Sequence, residues 1–386
     1  MAPYADFQTE VYLGGLQATI PEYPLSYRGL RRAARRMLTP EAYDYVAGSA
    51  GSEDTERANR EAFRRWRLVP RLLRDVSNRD VGVRLLDLDL PAPVLLAPVG
   101  VQSIVHPEAE LAVAHAAAGL GLPIVLSTLS SRSMEEVAEA SGTNPRWFQL
   151  YWPNDEDITA SFLDRAERAG YSAIVVTLDT AYLAWRPRDL ARSFLPFLRG
   201  EGLANYLTDP VFRGALAQTP EEDLQSAVLR WVSVFAAPHH TWEKLSFLRE
   251  HTRLPILLKG IQHPDDARAA LDAGMDGIIV SNHGGRQIDG AIGSLAALPP
   301  IVEVVEGRVP VLFDSGIRTG ADIVKAKALG AAAVLIGRPY IWGLAVGGEA
   351  GVRQVLRGLL AEMDLTLALT GCTSWDDAGG DLLAAL

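Results

Sequence analysis

A histidine and an arginine three residues apart, in the segment SNHGGRQ, are the residues of this sequence best suited to acid–base chemistry on an anion. The imidazole of His283 can accept a proton near neutral pH. The guanidinium of Arg286 can bind a carboxylate through two parallel hydrogen bonds. The glycines between them permit a tight turn, so that both side chains can point into one cavity. The other six histidines lie in helical or loop contexts without such neighbours, and we therefore predict that His283 is a catalytic base.

Two further charged residues follow the apolar segment that ends in TLDT. Asp179 is suited to orient a histidine and to stabilise the imidazolium that forms on proton abstraction. Arg186, seven residues later, is a candidate for a second carboxylate ligand, but pairing with nearby Asp189 explains its position equally well. Tyr45 and Tyr151 can donate hydrogen bonds to a substrate, although buried tyrosines commonly form hydrogen bonds within a core instead.

Three strand-end segments suggest a phosphorylated, anionic ligand. Lys259 ends the apolar run ILLKG, and because burial of an unpaired ammonium is costly, it should face either a ligand or a structural salt-bridge partner. The segments DSGIRTG and IGRP supply glycines, backbone N–H groups and the guanidiniums of Arg318 and Arg338. This composition favours a phosphate site. In the alternative, the glycines only turn the chain and the arginines are solvated.

Eight short apolar runs must position these residues. None alternates with period two, which is typical of strands that are buried on both faces of a parallel sheet. The runs are Pro93–Ala97, Pro123–Ser127, Trp147–Tyr151, Ala173–Thr177, Pro255–Lys259, Gly277–Ser281, Pro310–Asp314 and Ala333–Gly337. Helical patterns lie between most of them, as at Glu108–Leu120, Asp265–Ala273 and Gly320–Leu329, and several end at a glycine.

This alternation predicts an α/β fold, a (β/α)₈ TIM barrel whose active site lies at the carboxyl ends of the strands. A doubly wound open sheet is the alternative, but no GxGxxG segment follows the first strand. Residues 1–80 form a helical N-terminal extension that we expect to cap the bottom or the side of the barrel. Residues 187–240, after strand four, form either an active-site lid or a surface elaboration or subunit contact. We expect residues 1–386 to form a single domain.

Composition excludes several classes of function. The formal net charge of −10 argues against nucleic acid and against an anionic membrane surface as partners. The single cysteine, Cys372, excludes an intramolecular disulfide and a four-cysteine zinc site, and we expect no metal. The N-terminus lacks the apolar region of a signal peptide, and no run approaches the ~18 apolar residues of a membrane helix. A cytoplasmic location is therefore expected.

From about Tyr43 to Leu360 the sequence resembles the FMN-dependent 2-hydroxy acid oxidase and dehydrogenase family. The resemblance rests on the ordered series YDYVAG, APVG, QLY, TLDT, LKG, SNHGGRQ, DSGIRTG and GRP. SNHGGRQ with an upstream LKG and a downstream DSGIR is highly specific, whereas the glycine- and phosphate-type segments alone are not. The resemblance implies FMN as the cofactor, a small anionic L-2-hydroxy acid and oxygen as substrates, and a homo-oligomer, commonly a tetramer or octamer.

The resemblance also implies a role for each site residue. His283 is expected to be the base and Asp179 its partner, while Lys259 faces the edge of the flavin ring. The expected substrate ligands are Tyr45, Tyr151, Arg186 and Arg286. The expected contacts to the isoalloxazine and ribityl parts are Pro98, Val99, Gly100, Ser127, Gln149, Thr177 and Ser281. Those to the ribityl chain and phosphate are Asp314, Ser315, Gly316, Arg318, Gly337 and Arg338.

Within the family, the segments YVAGSAGSEDTERAN, WRPRDL, PFLRG…NYLTDPVF and KGIQHPDDAR are most similar to lactate 2-monooxygenase. In that subgroup the keto acid stays bound until oxygen has reacted, so that lactate and oxygen give acetate, carbon dioxide and water. A long lid that slows product escape is a physical reason for this outcome. Gly100, where many oxidases of the family resemble APxA, leaves more room beside the flavin.

Other functions remain open at this point. An oxidase would release the keto acid and hydrogen peroxide, and it would act on a larger hydroxy acid if the pocket is larger. Trp152, Tyr182 and Leu183 are expected near the substrate methyl group and do not identify lactate. A dehydrogenase that passes electrons to a quinone or a cytochrome is disfavoured, because we find no pattern of a haem domain or of a membrane segment in the sequence. A non-catalytic or isomerase phosphate-binding barrel would not use the predicted histidine, lysine and arginines together.

Overall fold

The computed structural model describes residues 4–386, and its centre is a closed barrel of eight parallel strands. The strands within the described residues are β1 (Trp66–Leu68), β2 (Val83–Leu85), β3 (Leu88–Leu90), β4 (Val94–Leu96), β5 (Ile124–Ser127), β6 (Arg146–Leu150), β7 (Ile174–Thr177), β8 (Ile256–Ile261), β9 (Gly277–Val280), β10 (Val311–Phe313), β11 (Ala333–Ile336) and β12 (Leu383–Ala385). Strands β4 to β11 are neighbours in chain order, and β11 closes on β4. The predicted TIM barrel is thus confirmed, and the open sheet is excluded.

Helices surround the barrel and connect its strands. In the described part of the chain they are α1 (Asp6–Gly15), α2 (Tyr27–Met37), α3 (Pro40–Ala47), α4 (Asp54–Arg64), α5 (Glu110–Ala118), α6 (Met134–Ser141), α7 (Glu156–Arg168), α8 (Pro187–Ala191), α9 (Ala204–Leu207), α10 (Pro210–Gly214), α11 (Leu224–Phe235), α12 (Leu245–His251), α13 (Pro264–Asp272), α14 (Ser294–Val305), α15 (Gly320–Ala328) and α16 (Arg338–Thr370). Short 3₁₀ turns include Gln102–Ile104, Pro196–Arg199 and His283–Gly285. None of the helices in residues 4–386 combines the length and the apolar character that a bilayer span requires.

Glycines end the connecting helices as the sequence predicts. Gly121, Gly170, Gly274 and Gly330 follow α5, α7, α13 and α15, and each has a positive φ between +66° and +104°. A residue without Cβ adopts this left-handed conformation at little cost. Each glycine therefore turns the chain out of a helix and into the next buried strand.

The amino end of the barrel is closed by apolar side chains. The antiparallel hairpin of β2 and β3 inserts Leu85 and Leu90, both buried, against inward-facing strand residues such as Trp147. The sequence predicts that the extension 1–80 caps the bottom or the side of the barrel. The bottom, which is the amino end of the strands, is instead covered by the hairpin, and the hairpin follows the extension in the chain. Helices α3 and α4 of the extension instead reach the carboxyl end, where Asn59 of α4 exchanges two amide hydrogen bonds with Asn282.

The segment 187–240 is folded and packed against the barrel. It contains α8 to α11, and its Tyr206 and Phe212 are fully buried. The side chain of Asn205 donates to the backbone carbonyls of Ser127 and Thr128, at the carboxyl end of β5. Asp209, also fully buried, pairs with Arg165 of α7 at 3.1 Å. The segment therefore has a defined position beside the carboxyl ends of the strands.

Candidate active site

A cavity of about 400 Å³ lies at the carboxyl ends of the barrel strands. Most of the predicted site residues line it, namely Tyr45, Pro98, Val99, Gly100, Ser127, Tyr151, Arg186, Lys259, His283, Arg286, Asp314, Ser315, Gly316, Arg318, Gly337 and Arg338. Asp179 and Ser281 do not line it but form hydrogen bonds with residues that do. Gln149 and Thr177 lie on β6 and β7, buried and outside the cavity lining. The structure therefore brings the predicted charged groups together in one space.

His283 and Asp179 form a largely buried pair at the edge of this cavity. Nδ1 of His283 lies 2.8 Å from Oδ1 of Asp179, which also accepts a hydrogen bond of 3.0 Å from the hydroxyl of Thr180. Gly260 permits this approach, since a Cβ there would lie 2.9 Å from the Cβ of Asp179. With Nδ1 donating to the carboxylate, Nε2 is the free base of the ring and faces the Tyr151 hydroxyl at 3.3 Å.

Electrostatics keep this pair in the form that suits a base. Burial lowers the pKa of His283, although the carboxylate of Asp179 acts in the opposite direction. Burial would raise the pKa of Asp179, but the charge and the hydrogen bond of His283 outweigh it and hold the pKa at about 2. At neutral pH the imidazole is therefore uncharged, with an ionised carboxylate ready to stabilise the imidazolium after protonation.

The backbone around His283 holds the imidazole in place. His283 has a φ of +58°, an uncommon conformation for a residue with a side chain. Its N–H donates to the hydroxyl of Ser281 at 3.0 Å, and the N–H of Gly284 donates to the hydroxyl of Ser315 at 2.9 Å. The two acceptors, Ser281 and Ser315, lie just after the neighbouring strands β9 and β10. The hydrogen bonds to them compensate the strain and fix the direction of the imidazole ring.

Arg186 and Arg286 lie beside the base without a carboxylate partner among residues 4–386. Nη1 of Arg286 donates to the backbone carbonyls of Tyr45 and Gly48, at 2.6 and 2.7 Å. Nε of Arg186 donates to the carbonyl of Arg286 at 3.0 Å. No salt bridge joins Arg186 to Asp189, so the structure disfavours that alternative. Burial and the charge of Arg286 lower the pKa of Arg186 to about 10. The buried guanidinium of Arg186 and the partly buried guanidinium of Arg286 repel each other, and together they form a site for an anion.

Both predicted tyrosines face the cavity. The guanidinium of Arg286 lies over the ring of Tyr45, 5.1 Å from its centroid. The ring of Tyr151 stacks with that of His283. Burial raises the pKa of both hydroxyls, so that they are proton donors at neutral pH. The alternative was that these tyrosines form hydrogen bonds within the core, and neither hydroxyl forms such a bond with the described residues.

Lys259 both faces the cavity and has a salt-bridge partner, so the structure supports both interpretations that the sequence left open. Its ammonium group is almost fully buried and lines the cavity, and it also pairs with Asp314 at 3.3 Å and donates to Ser281 at 3.0 Å. Burial would lower the pKa of Lys259, but the carboxylates of Asp314 and Asp179 raise it. The lysine therefore stays charged, so that a cation sits in the floor of the cavity.

The glycine-rich loops after β10 and β11 bring Arg318 and Arg338 together. Arg338 donates to the carbonyls of Val46 and Gly284, each at 3.0 Å, and has no carboxylate partner among the described residues. Burial and the charges of Arg318 and Arg286 lower its pKa to about 10. Arg318 is only weakly neutralised, because Glu56 lies 3.5 Å away. This excess of buried positive charge matches a phosphate.

The residues present fit FMN. The pair Arg318 and Arg338 supplies a phosphate site, and the buried ammonium of Lys259 lines the same cavity. Nε2 of the predicted flavin ligand Gln149 is buried and has no hydrogen-bond partner among residues 4–386. A buried amide without a partner is unfavourable unless a ligand supplies an acceptor.

Apolar side chains from the segment 187–240 form the wall opposite the strand ends. They are Leu195, Phe197, Leu198, Trp231, Val232, Phe235 and Ala236. Of the residues expected near the substrate methyl group, Leu183 lines the cavity. Trp152 and Tyr182 do not, because Trp152 stacks on His240 at 4.0 Å and Tyr182 is 68% exposed. For these two the prediction was wrong.

Sequence reasoning missed several residues of the site. Thr180, which donates to Asp179, and Gln287, which bonds Arg186 at 2.8 Å, were not singled out. Thr180 is the last residue of TLDT and Gln287 is the last residue of SNHGGRQ, and both segments contain predicted site residues. A polar residue adjacent to a predicted catalytic residue was the available signal. The apolar wall carried no signal, because its residues resemble those of any amphipathic helix.

Comparison with known proteins agrees with this geometry. Residues 34–385 match the family described as FMN-dependent dehydrogenase. An FMN-dependent alpha-hydroxy acid dehydrogenase of Penicillium citrinum is 46% identical, over 98% of this chain and 96% of its own. An L-lactate oxidase of Lysinibacillus sphaericus is 45% identical, over 95% and 94%. A crystal structure of mandelate oxidase superimposes with a TM-score of 0.83 at 41% identity, covering 94% of this chain and 98% of that one.

Proposed function

Because this chain belongs to the FMN-dependent 2-hydroxy acid dehydrogenase and oxidase family, we propose that its substrates are L-lactate and oxygen and that its reaction is that of a lactate 2-monooxygenase. The products would be acetate, carbon dioxide and water. When bound, FMN accepts the two electrons that leave the substrate on oxidation. The observation that carries the proposal is the convergence of a neutral imidazole, two guanidiniums and a buried ammonium on one cavity.

The chain's own residues have distinct tasks in this proposal. Arg186 and Arg286 bind the substrate carboxylate, and this binding places the 2-carbon beside Nε2 of His283. That nitrogen takes a proton from the substrate, and Asp179 stabilises the resulting imidazolium across the 2.8 Å hydrogen bond. Tyr45 and Tyr151 donate hydrogen bonds to the carboxylate or hydroxyl oxygens, since burial keeps both phenols protonated.

The remaining predicted residues would hold FMN. Lys259 would stabilise negative charge on the ring, because it stays protonated beside Asp314. Arg318 and Arg338 would bind the phosphate with backbone N–H groups of the glycine loops. The other proposed FMN contacts are Pro98, Val99, Gly100, Ser127, Gln149, Thr177, Ser281, Asp314, Ser315, Gly316 and Gly337.

One feature supports the monooxygenase outcome. The folded segment 187–240 forms a wall of the cavity through residues such as Phe197 and Trp231, which would delay the escape of a bound product. Gly100 gives no such support. Its missing methyl group was expected to leave room beside the flavin, but a Cβ at Gly100 would lie 2.7 Å from the carbonyl oxygen of Leu129. The neighbouring chain therefore already occupies the space that the missing methyl group leaves.

Product analysis tests the proposal. The purified holoenzyme should lose its yellow colour when L-lactate is added without oxygen. In air, lactate should yield acetate without free hydrogen peroxide. Equal amounts of pyruvate and hydrogen peroxide would contradict the monooxygenase reaction while leaving the family chemistry intact. No bleaching by any L-2-hydroxy acid would contradict the substrate class.

An oxidase that acts on a larger apolar 2-hydroxy acid is the second candidate. The apolar wall of Leu198, Trp231 and Phe235 favours it, as does the similarity to mandelate oxidase. Anaerobic bleaching rates for L-lactate and L-mandelate separate the two candidates, because the preferred substrate reduces the flavin faster at equal concentration. A homo-oligomer and a cytoplasmic location remain predictions.

A further inference from the structure

Gln287 holds the segment that carries two of the proposed site residues. Its Oε1 accepts a hydrogen bond of 2.8 Å from Nη2 of Arg186. Its Nε2 donates to the backbone carbonyls of Asp179 and Tyr182, at 2.6 and 3.2 Å. We infer that Gln287 is a positioning residue, which directs the guanidinium of Arg186 toward the substrate carboxylate and fixes it relative to the His283–Asp179 pair. This inference rests on the proposed role of Arg186.

The segment between β7 and α8 needs such an anchor. Tyr182, Leu183 and Trp185 are 68%, 53% and 73% exposed, so little apolar packing holds the segment against the barrel. Apart from Gln287, its connections include the N–H of Gly51, which donates to the carbonyl of Trp185 at 2.9 Å. The single amide of Gln287 therefore connects three points of this segment, Asp179, Tyr182 and Arg186, to the chain that follows β9.

The direction of Arg186 depends on this amide. Arg186 is buried and forms two hydrogen bonds with other described residues, one to the carbonyl of Arg286 and one to Gln287. Asp189, three residues later, is also buried but forms no salt bridge with it. A salt bridge between Arg186 and Asp189 would neutralise the charge that the substrate requires. The amide of Gln287 orients the guanidinium and leaves its charge available for an anion.

No other side chain satisfies these three contacts. An amide offers one acceptor and two N–H donors, which is what one guanidinium and two carbonyls require. Glutamate at this position would place carboxylate oxygens against the two carbonyls and would form a salt bridge with Arg186. Methionine has a similar length but makes none of the three hydrogen bonds. These two variants remove the proposed effect in different ways.

The test compares ligands with and without a carboxylate. The ligands are pyruvate, phenylglyoxylate and the neutral 2-hydroxy-phenylacetamide, and their Kd values are measured from the change in the visible absorption of the holoenzyme. Gln287→Met should weaken binding of both anions about tenfold, the order expected for one charge-assisted hydrogen bond. Gln287→Glu should weaken it by about a hundredfold, because a competing carboxylate then occupies Arg186. Binding of the neutral amide should change less than about twofold.

Arg186→Met is the benchmark that separates this inference from the proposed function. If Arg186→Met leaves the Kd of both anions unchanged, the proposed carboxylate site is wrong. If Arg186→Met weakens anion binding and Gln287→Met does not, the proposed function stands and the positioning role of Gln287 is overturned. Equal weakening of the anions and of the neutral amide would also overturn it, since that result indicates general damage.

Two further measurements cover the case of a variant that folds poorly. The double variant Arg186→Met/Gln287→Met should bind anions no more weakly than Arg186→Met alone, because both act through one guanidinium. If Gln287→Met is unfolded, Gln287→Asn retains the amide on a shorter stem and should still raise the Kd of pyruvate relative to the unchanged enzyme. Full-strength pyruvate binding by Gln287→Asn, with a normal thermal unfolding temperature, would contradict the proposed geometry.

Discussion

The two ends of the barrel bury opposite kinds of side chain, although the same eight strands form both. At the amino end, Leu85 and Leu90 of the hairpin pack on Trp147 and other apolar residues. At the carboxyl end, the buried Lys259 and the largely buried His283 lie beside carboxylates, whereas Arg186, Arg286 and Arg338 lack such partners among the described residues. Burial of apolar surface lowers the free energy of the folded chain, whereas burial of charges raises it.

This difference separates stability from function within one fold. The amino end contributes apolar packing. The carboxyl end retains guanidinium charges that a phosphate and a carboxylate would compensate, and the strained His283 lies there too. Substitutions at the two ends should therefore affect different measurements.

The largest effect is expected from His283→Ala. Loss of the imidazole should lower turnover by at least ~10²-fold, the low end for general base catalysis, and leave FMN bound. Steady-state kinetics and the visible spectrum measure the two effects. His251→Ala, at an exposed position, is the control and should retain full turnover. Unchanged turnover in His283→Ala would end its assignment as the base.

Leu85→Ala tests the amino end. The side chain is buried in the apolar layer, so its truncation should lower the free energy of unfolding by about 2–5 kcal/mol and leave kcat unchanged. Denaturant unfolding and kinetics measure the two quantities. Leu72→Ala, at a position that is 80% exposed, should change neither. A fall in kcat that matches the loss of stability would show that the two ends are not independent.

Arg318→Met tests the phosphate side of the carboxyl end. Removal of one guanidinium should weaken FMN binding about tenfold or more, because it eliminates a charge-assisted hydrogen bond to a dianion. The quenching of FMN fluorescence on binding to the apoprotein gives the Kd. The exposed Arg32 of α2 offers a matched Arg→Met control, which should bind FMN normally. Equal FMN affinity in both variants would place the phosphate elsewhere.

The smallest effect concerns pH. Burial lowers the pKa of His283 below its ordinary value of 6.5, so the active, neutral imidazole already predominates at pH 7. Between pH 7 and pH 8, kcat/KM should therefore change less than about twofold, and it should fall as the pH drops through the lowered pKa. Asp179→Asn should shift this acid limb to still lower pH, since the carboxylate acts to raise the pKa of His283. A limb above pH 7 would contradict a neutral base.

Much of the fold could be predicted from local patterns. Runs such as Pro255–Lys259 lack alternation because both faces of a barrel strand are buried, and the helix-ending glycines mark each return to the sheet. Strand-end residues such as Lys259 and His283 could be assigned to a site, because parallel strands of a barrel end on the same rim. The errors arose in connecting segments, where the direction of a side chain such as Trp152 or Tyr182 does not follow from periodicity.

The sequence alone thus determined the barrel, the family and the polar groups at the carboxyl ends of its strands, since short-range periodicity and motif composition encode them. Only the tertiary structure decided which of these groups touch. Arg186 bonds Gln287 and not its neighbour Asp189. Lys259 both pairs with Asp314 and faces the cavity, and the apolar wall comes from α11 and from the segment around the turn Pro196–Arg199. These contacts join residues that are far apart in the chain, and their distances depend on how the connecting segments pack around the barrel.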